Sequence, residues 1–414
     1  MARLPTARRL GSFGGYVAGW LACCVALACS GDPGEGKPKV AAPAREPLRV
    51  PLDPVAFRAR PHLLDRIRHS VHAYFRFINV QFADEVCKRF AVVGRADPYV
   101  NLHGDAHLEQ YAVSVTDRGL ADFDAATTGP AVLDLMRFMV SLRLAARERG
   151  WDDAVQPALT AFLDAYKEAL RKPGTELPEP AIATRLRQRF VATPAEWLQR
   201  VEAMMRPVDP VTVERLQRAG EAYVSAMREQ DPQLPPGFFA LKRAGALEMG
   251  IGSAFEEKYL ARVEGPTPAP DDDVILEVKQ VPDLAGVGCV VGPRGPDPFR
   301  VIVGQSRLGS GDHGLLGYLV LHDKAFYVQS WRINYTELRL EDFESAAELV
   351  DIARDAGFQL GQGHPRLIAA PRDVQLRRAL LSALERDEKV LVTAAQDFEV
   401  RVLRAWAGVR DPSR

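Results

Sequence analysis

The stretch VNLHGDAHLEQYAVSVTDRGLADFDAATTGPAVLDLMRF, residues 100–138, constrains this chain more than any other, because it gathers ionisable groups between segments that look buried. The groups of interest are His103, Asp105, His107, Asp122, Asp124 and Asp134. Charged side chains beside a core are costly unless they are paired, hydrogen-bonded or metal-bound. The stretch therefore predicts a metal site, a phosphoryl-transfer site or a polar network that holds the fold together.

The chain reads as helical, then mostly β, then helical again, which predicts an α+β fold. Apolar residues recur at helical spacing over residues 61–90. GPAVLDLMRFMVSLRLAARERG indicates a buried helix with Pro130 in its first turn and Gly150 at its end. PYVNLHG predicts a strand, and YAVSV, TDRG and LADFD predict a hairpin. FRVIVGQSRL, YLVLHD and AFYVQSW have strand-like character, and helices return from about Leu340.

A chain of 414 residues can bury more than one core. We predict two lobes, preceded by a leader and followed by a closing set of helices. The predicted parts are a lipoprotein-type signal peptide over residues 1–29, a flexible tether over 30–57, a helical lobe with the ionisable loop and hairpin over 58–235, a β-rich lobe over 236–338, and C-terminal helices over 339–414 that pack on the helical lobe.

The N-terminus has the features of an export signal. A basic start precedes an apolar run over residues 16–28 and a junction of small residues. Cys29 after ALA resembles the lipidated cysteine of bacterial lipoproteins, although Ala26 stands where a leucine is usual; Cys23 and Cys24 are weaker candidates. The alternative is an uncleaved membrane anchor, for which the run is short. We expect an exported protein, held at a membrane of the bacterial envelope by its N-terminal lipid.

Charge and cysteine content narrow the partners. The 53 basic and 54 acidic residues nearly balance, and we find no concentrated basic patch of the kind that binds nucleic acid. We therefore expect a small-molecule or protein substrate and no nucleic-acid partner.

Three of the five cysteines lie in the signal segment. Cys87 and Cys289 remain, so one disulfide can form after the signal, but the sequence does not show whether they pair.

Phosphoryl transfer of the kinase type needs a small set of parts. An aspartate orients the attacking hydroxyl or accepts its proton, oxygen ligands hold Mg²⁺, a strand lysine meets the nucleotide phosphates, and a glycine-rich turn lets backbone N–H groups approach them. HGDAHLEQ followed by a hairpin and ADFD resembles the catalytic segment of the aminoglycoside-phosphotransferase-like kinases. The resemblance implies that Asp105 is the catalytic base, that Asp122 and Gln110 hold Mg²⁺, and that Asp134 braces the loop.

The nucleotide-binding parts come later in the chain. MGIGSAF resembles a glycine-rich nucleotide loop and contains Gly250, Gly252 and Ser253, while Lys279 in ILEVKQV stands where a strand lysine would. In ordinary kinases these parts come first. The implied fold is therefore a two-lobed, protein-kinase-like fold that is circularly permuted, a rearrangement that preserves a packed core when the chain termini lie close together.

The order of these motifs resembles that of the DUF2252 family, a domain of unknown function. Its members carry GDAHLxNFG, NDFDE…GP…WDLKRL, GVGSVG and VKEA, and this chain has GDAHLEQYA, ADFDAATTGPAVLDLMRF, GIGSAF and EVKQV in the same order. RVIVGQSRL and DAGFQLGQGHPR, later in the chain, also resemble segments of the family. The resemblance covers roughly Arg58 to the C-terminus. It implies a kinase-like fold with ATP and Mg²⁺ as cofactors and a substrate that is not established.

Three departures from these patterns point to a weakened or altered nucleotide site. Gln110 replaces the metal-binding asparagine, which keeps an amide oxygen on a side chain one methylene longer. Phe255 stands where the loop has its third glycine and would crowd a phosphate. Val303 stands where the family has a glutamate that could pair with the strand lysine. Export also points to a weakened or altered nucleotide site, because ATP is scarce outside the cytoplasmic membrane.

Three functions follow. The first is a kinase-like phosphotransferase with Asp105 as the base and Asp122 on Mg²⁺. The second is a pseudokinase that uses the same fold as a binding module at the envelope. The third is a metal-dependent hydrolase with a transition metal on His103, Asp105 and His107.

Each residue also has a structural interpretation. These are buried hydrogen-bonded aspartates at 105 and 122, a loop or capping residue at Asp124, loop-supporting side chains at His103, His107 and Asp134, a plain turn at Gly250 and Gly252, and an exposed strand lysine at Lys279.

Overall fold

The computed structural model describes residues 46–91, 98–248, 250–309, 311 and 314–410, which belong to one compact unit. The predicted signal peptide, the lipidated Cys29 and residues 30–45 of the predicted tether lie outside the described residues. Met249 of the glycine-rich motif also lies outside them. None of the helices within the described ranges has the length and apolar character that crossing a membrane requires.

The secondary structure has the predicted order of helices, then mostly strands, then helices. The helices are α1 Pro61–His69, α2 Val71–Phe77, α3 Asn79–Arg89, α4 Val132–Arg149, α5 Val155–Arg171, α6 Ala181–Arg187, α7 Pro194–Met204, α8 Pro210–Gln230, α9 Pro298–Leu308, α10 Ala346–Gly363 and α11 Arg372–Arg410. The strands are β1 Tyr99–Leu102, β2 Tyr111–Val113, β3 Arg118–Leu120, β4 Thr127–Pro130, β5 Leu241–Ala246, β6 Lys258–Val263, β7 Val274–Gln280, β8 Gly317–Leu321, β9 Lys324–Ser330 and β10 Thr336–Glu337. The α+β prediction is confirmed.

The strands form three antiparallel sheets. β1 pairs with β4, and β2 lies between β10 and β3, so that the hairpin predicted from YAVSV and LADFD is present. The largest sheet has five strands in the order β5-β6-β7-β9-β8. On β7, Lys279 is in register with Lys258 of β6 and Tyr327 of β9. One face of this sheet packs on α8, where Tyr223 and Met227 join its apolar side chains in a second core.

Helix α4 lies at the centre of the main core and is buried on nearly all sides, as predicted. It ends at Gly150, whose φ of 69° is the left-handed conformation that favours glycine at a helix C-terminus. The prediction for its start was wrong. Pro130 is the last residue of β4, opposite Tyr99, and the helix begins at Val132. A proline lacks the N–H that a ladder uses, so it is tolerated on an edge strand, and β4 pairs on one side only, with β1.

The segment FRVIVGQSRL, predicted as strand-like, is helix α9, so this prediction was wrong. Asp297 caps the helix by accepting a hydrogen bond from Phe299 N–H, and Pro298 occupies the first turn. Val301, Gly304, Gln305 and Leu308 are buried at helical spacing. The β-branched residues favoured a strand locally, but the cap and the spacing of buried positions decide for a helix.

The predicted tether is shorter than expected. Leu48 and Phe57 are buried in the main core. The Tyr74 hydroxyl accepts a hydrogen bond from Val50 N–H at 3.0 Å and donates one to the Leu48 carbonyl at 2.6 Å. A flexible tether is therefore the wrong interpretation for residues 46–57.

The two cysteines that follow the signal segment form a disulfide. Cys87 on α3 and Cys289 in the loop after β7 are bonded, with 5.4 Å between their Cα atoms. The sequence left this pairing open. The bond joins helices of the main core to the chain that leaves the central strand of the five-stranded sheet.

Candidate functional site

A cavity of about 1080 Å³ lies between the main helical core and the five-stranded sheet. The predicted site residues that line it are Asp105, Gln110, Asp122, Asp124, Gly250, Gly252, Ser253 and Lys279. They come from the loop after β1, the turn after β3, the β5–β6 connection and strand β7. His103 and Asp134 are fully buried and support the loop that carries Asp105.

The loop between β1 and Asp105 is held by Asp134. Its carboxylate accepts hydrogen bonds from His103 N–H at 2.7 Å and Gly104 N–H at 2.8 Å, and His364 Nε2 lies 3.2 Å away. Gly104 has a φ of +79°, and a Cβ there would lie 2.0 Å from the Ala125 carbonyl oxygen. The contacts of Asp134 are those that the predicted bracing role requires.

Asp105 is paired with an arginine that the sequence analysis did not single out. Arg137 Nε donates to Asp105 Oδ1 at 2.9 Å, and the charged Nη2 lies 2.7 Å from the same oxygen. Burial raises the pKa of Asp105, and although the charge and hydrogen bonds of Arg137 oppose this, the pKa stays above its ordinary value. Arg137 lies one helical turn after Asp134 in DLMRF, which is the only signal that could have drawn attention to it.

Lys279 meets two aspartates of the ADFD motif. Its Nζ lies 2.6 Å from Asp122 Oδ1 and 2.7 Å from Asp124 Oδ2. Lys279 is 3% exposed, so the interpretation as an exposed strand lysine was wrong. Burial lowers the pKa of Lys279, but attraction by Asp122 and Asp124 outweighs this and raises it well above its ordinary value. Burial raises the pKa of Asp122, whereas Lys279 and Lys258 lower it more. Asp122 and Lys279 are therefore both charged at neutral pH.

Local backbone geometry aims the two aspartates into the cavity. Asp122 has φ 60° and ψ 70°, a left-handed conformation that is unusual without glycine and is found at functional sites. The turn that follows, Phe123–Ala125, is fixed by Arg300 of α9, which donates to the backbone carbonyls of Asp124 and of Ala126, the latter at 3.0 Å. Asp124 is thus part of the charged site and not only a loop residue.

The glycine-rich turn lies directly over Asp105. A Cβ at Gly252 would lie 3.6 Å from Asp105 Oδ2, and one at Gly250 would lie 3.7 Å from Arg76 Nη2. Ser253 Oγ donates to Asp124 Oδ2 at 3.2 Å, which connects the turn to the aspartate pair. The Phe255 ring, predicted to crowd a phosphate, packs against Phe57 at 5.1 Å between centroids.

The two loop histidines differ in their contacts. His103 Nε2 lies 2.9 Å from the Ala121 carbonyl, and its Nδ1 accepts from Asp105 N–H at 3.3 Å. His107 is fully buried with no hydrogen-bond partner for either ring nitrogen within the described residues, and Nε2 lies 3.7 Å from Asp105 Oδ2. Burial, followed by repulsion from Arg76, lowers the pKa of His107 well below its ordinary value.

The charge arrangement favours oxygen coordination over a histidine metal site. Both ring nitrogens of His103 are engaged, and the described ranges contain no group of three or more His, Cys, Asp or Glu side chains that could hold a metal ion. Mg²⁺ in nucleotide sites is bound by one or two carboxylates together with phosphates and water. Asp122, Asp124 and the amide of Gln110 fit that pattern.

Other charged groups complete the cavity wall. Glu109 accepts from Arg76 Nη1 at 2.5 Å, and Lys258 pairs with Glu277 on the neighbouring strand. Burial, followed by repulsion from Asp122, raises the pKa of Glu337. Val303 stands where the family pattern has a glutamate, and it lies exposed on α9. Lys279 pairs instead with the carboxylates of Asp122 and Asp124.

Comparison with known proteins identifies one family. A family model described as an uncharacterized protein conserved in bacteria (DUF2252) matches residues 53–207 and 183–411. No curated protein and no solved structure gives a significant match to the chain.

Proposed function

The chain belongs to the DUF2252 family, whose description names no activity, and we therefore propose a function from the site itself: a phosphotransferase of the kinase type that uses ATP and Mg²⁺. In this proposal Asp105 is the catalytic base, Asp122 and Gln110 bind the metal, and Lys279 contacts the nucleotide phosphates. The fold would be the permuted kinase-like arrangement that the motif order implies.

One observation carries the proposal. Lys279 and Asp122 are 157 positions apart, and their charged atoms lie 2.6 Å from each other in a cavity that also contains Asp105. Removing a lysine and two aspartates from water costs free energy that their mutual attraction barely offsets. Stability alone is therefore a weak reason for a fold to bring these distant residues together, and a functional role is the stronger one. A kinase requires these groups in one cleft.

The order of elements in the five-stranded sheet supports the same conclusion. The glycine-rich turn joins its first two strands, β5 and β6, and Lys279 lies on its third strand, β7. Helix α9 then precedes the last two strands. In protein kinases a glycine-rich loop covers the phosphates, the lysine is on the third strand, and the next helix bears on it. Here α9 acts through Arg300, which holds the turn that carries Asp124.

The chain's own residues divide the work as follows. Asp105 Oδ1 is held by Arg137, which leaves Oδ2 toward the glycine turn to orient an acceptor hydroxyl and accept its proton. A raised pKa suits a general base because it moves proton affinity toward neutral pH. Bound Mg²⁺ would supply neutralisation of phosphate charge. Asp122 would provide a carboxylate and Gln110 an amide oxygen for it, and Lys279 would provide a positive charge for the phosphates.

Calorimetry with the full-length protein tests the proposal. Titration of ATP in the presence of Mg²⁺ should release heat that disappears without the metal and in the Lys279→Met variant. Lys242→Met is the matched control, because Lys242 is an ion-paired lysine of the same sheet, on Asp273 at 2.5 Å, and lies outside the cavity lining. Absence of heat with any nucleotide, with and without Mg²⁺, would contradict the proposal.

The alternative is a pseudokinase that binds a ligand without transferring phosphate. The observation that favours it is that the charged groups already pair with one another. Arg137 contacts one oxygen of Asp105, and Lys279 contacts both aspartates of the ADFD motif. Gln110 in place of the usual asparagine also favours it. Nucleotide turnover that is present in the wild type and lost in Asp105→Asn would dismiss this alternative.

We also propose that the protein acts in the bacterial envelope. The Cys87–Cys289 disulfide supports export, because disulfides persist in oxidising compartments. Labelling cells with a radioactive fatty acid should mark the wild-type protein and not the Cys29→Ala variant. Equal labelling of both, or recovery of the wild type in the cytoplasmic fraction, would contradict it.

A further inference from the structure

We propose that Asp122 and Asp124 form one cation-binding site which the Lys279 ammonium fills in the free protein, so that a divalent metal and a nucleotide bind cooperatively by displacing it. This inference rests on the proposed function for the identity of the second ligand. It assigns Asp124 to the metal and gives Lys279 a second role, as an internal counter-ion.

The contact geometry is that of a cation between two anionic ligands. Lys279 Nζ is 2.6 Å from one carboxylate and 2.7 Å from the other, and both Lys279 and Asp124 are buried. A single positive charge does not balance two carboxylates. Two further cations near the pair have partners of their own: Lys258 pairs with Glu277, and Arg300 donates to the backbone carbonyls of Asp124 and Ala126. The site therefore keeps a surplus negative charge that a divalent ion would neutralise better than an ammonium.

The surroundings add to the surplus. Glu337 and Glu256 line the same cavity, and the pKa of each is raised, first by burial and then by repulsion from Asp122 and Asp124, respectively. Repulsion between the aspartate pair and these carboxyl groups would be relieved by a cation bound at the pair. The oxygen ligands and the open cavity match the preference of Mg²⁺.

Both partners of Asp124 lie on elements that would contact phosphates. Ser253 is in the glycine-rich turn, at 3.2 Å from Asp124 Oδ2, and Lys279 is on the strand beside it. A nucleotide that attracts the Lys279 ammonium and the turn would release Asp124 from both partners at once. Its carboxylate would then be available to the metal. By linkage, the metal must favour nucleotide binding to the same extent.

Within the described residues, no third His, Cys, Asp or Glu joins the two carboxylates to complete a metal site. With Lys279 in place, the two carboxylates are occupied, and phosphates and water are needed to complete an octahedron. Metal alone is therefore expected to bind weakly to the wild type, and removal of the ammonium should expose a stronger site.

Titration with Mn²⁺ alone, followed by electron paramagnetic resonance of the free ion, tests this without any nucleotide. Lys279→Met, which keeps the stem and removes the charge, should bind one Mn²⁺ at least about tenfold more tightly than the wild type, a difference of about 1.4 kcal/mol. Lys242→Met, the control, should bind as the wild type does. Adding Asp124→Asn to Lys279→Met should abolish the gain.

Loss of Lys279 leaves the buried Asp124 and the partly exposed Asp122 without the ammonium that pairs with them, so the variant is also followed by thermal unfolding. Lys279→Met should be less stable than the wild type without metal and should gain more stability from Mn²⁺. Lys279→Gln provides a second neutral variant. If neither variant binds Mn²⁺ more tightly or is stabilised more than the wild type, the inference is wrong. If the gain is seen but no nucleotide binds, the cation site stands and the phosphotransferase proposal fails.

Discussion

Arg137 Nε donates a hydrogen bond to Asp105 Oδ1 at 2.9 Å, Nη2 lies 2.7 Å from the same oxygen, and both side chains are buried. The guanidinium also donates to the Phe75 carbonyl at 2.9 Å and lies 3.8 Å from the centroid of the Phe75 ring. Arginine suits this role because its planar donors fix the orientation of a carboxylate. The pair holds Asp105 in one orientation and leaves Oδ2 toward the cavity.

Replacing Arg137 should destabilise the protein strongly. Arg137→Met leaves the buried Asp105 carboxylate without its partner, and breaking a buried ion pair from one side costs about 3–5 kcal/mol. Urea unfolding followed by circular dichroism measures the loss.

The matched double variant separates charge from packing. Arg137→Met combined with Asp105→Asn removes both charges, so it should be more stable than Arg137→Met alone. A double variant that is no more stable than the single one would show that the contacts of Arg137 with Phe75, and not its charge, account for the loss.

His107 should make stability depend on pH between neutrality and about pH 5. Its pKa is well below the ordinary value of 6.5 in the folded protein, so between the two pKa values the unfolded chain binds a proton that the folded protein does not. This contribution is complete above pH 6.5 and is lost, by up to about 1.4 kcal/mol per pH unit, as the pH falls.

His107→Gln should remove this part of the slope in a series of urea titrations from pH 7.5 to about pH 5. The control is His69→Gln, which removes an exposed imidazole at the end of α1, outside the core. Equal slopes for His107→Gln and the wild type would mean that this imidazole is protonated or hydrated in the folded protein.

The disulfide should contribute about 2–5 kcal/mol to stability, the usual range for a native bridge. It closes a separation of 202 residues and joins α3 to the loop after the lysine strand. Cys87→Ala/Cys289→Ala should therefore unfold at lower urea than the oxidised wild type and should be insensitive to reductant. In the single variant Cys87→Ala, the Cys289 thiol should become reactive to alkylation, whereas in the wild type it should react only after reduction.

The glycine-rich turn can be tested apart from folding. A Cβ at Gly252 meets its nearest atom at an ordinary 3.6 Å, so Gly252→Ala should change stability by no more than about 0.5 kcal/mol. Its methyl group would occupy the space over Asp105 Oδ2 and should weaken binding of Mg²⁺–ATP in calorimetry. Unchanged affinity would contradict the proposed role of the turn.

Gly104→Ala is the contrasting variant, in the loop that carries Asp105. Its Cβ would lie 2.0 Å from the Ala125 carbonyl oxygen at a φ of +79°, and the loss of stability should exceed about 2 kcal/mol. Gly104 is thus required by the loop backbone, whereas Gly252 is available for a ligand.

Local sequence patterns predicted most helices and strands. They failed where the preference of single residues disagreed with the features of the whole segment. Apolar spacing marked α4 and its stop at Gly150, and alternation marked the hairpin of β2 and β3. Helix α9 was misread because its valines and isoleucine favour a strand, whereas its cap and buried spacing act over the whole segment. Residues 46–57 were misread because proline-rich composition hid the apolar side chains that enter the core.

Composition, motif spacing and motif order were enough to indicate the α+β class, the family and the aspartates and lysine of the site. Composition, motif spacing and motif order can be read along the chain without knowing which distant residues come into contact. The partners of these groups were decided only by tertiary structure: Arg137 on Asp105, Asp124 with Asp122 on Lys279, and Cys87 with Cys289. Which charges neutralise one another depends on distances across a packed core, and those distances are not encoded at any single position of the sequence.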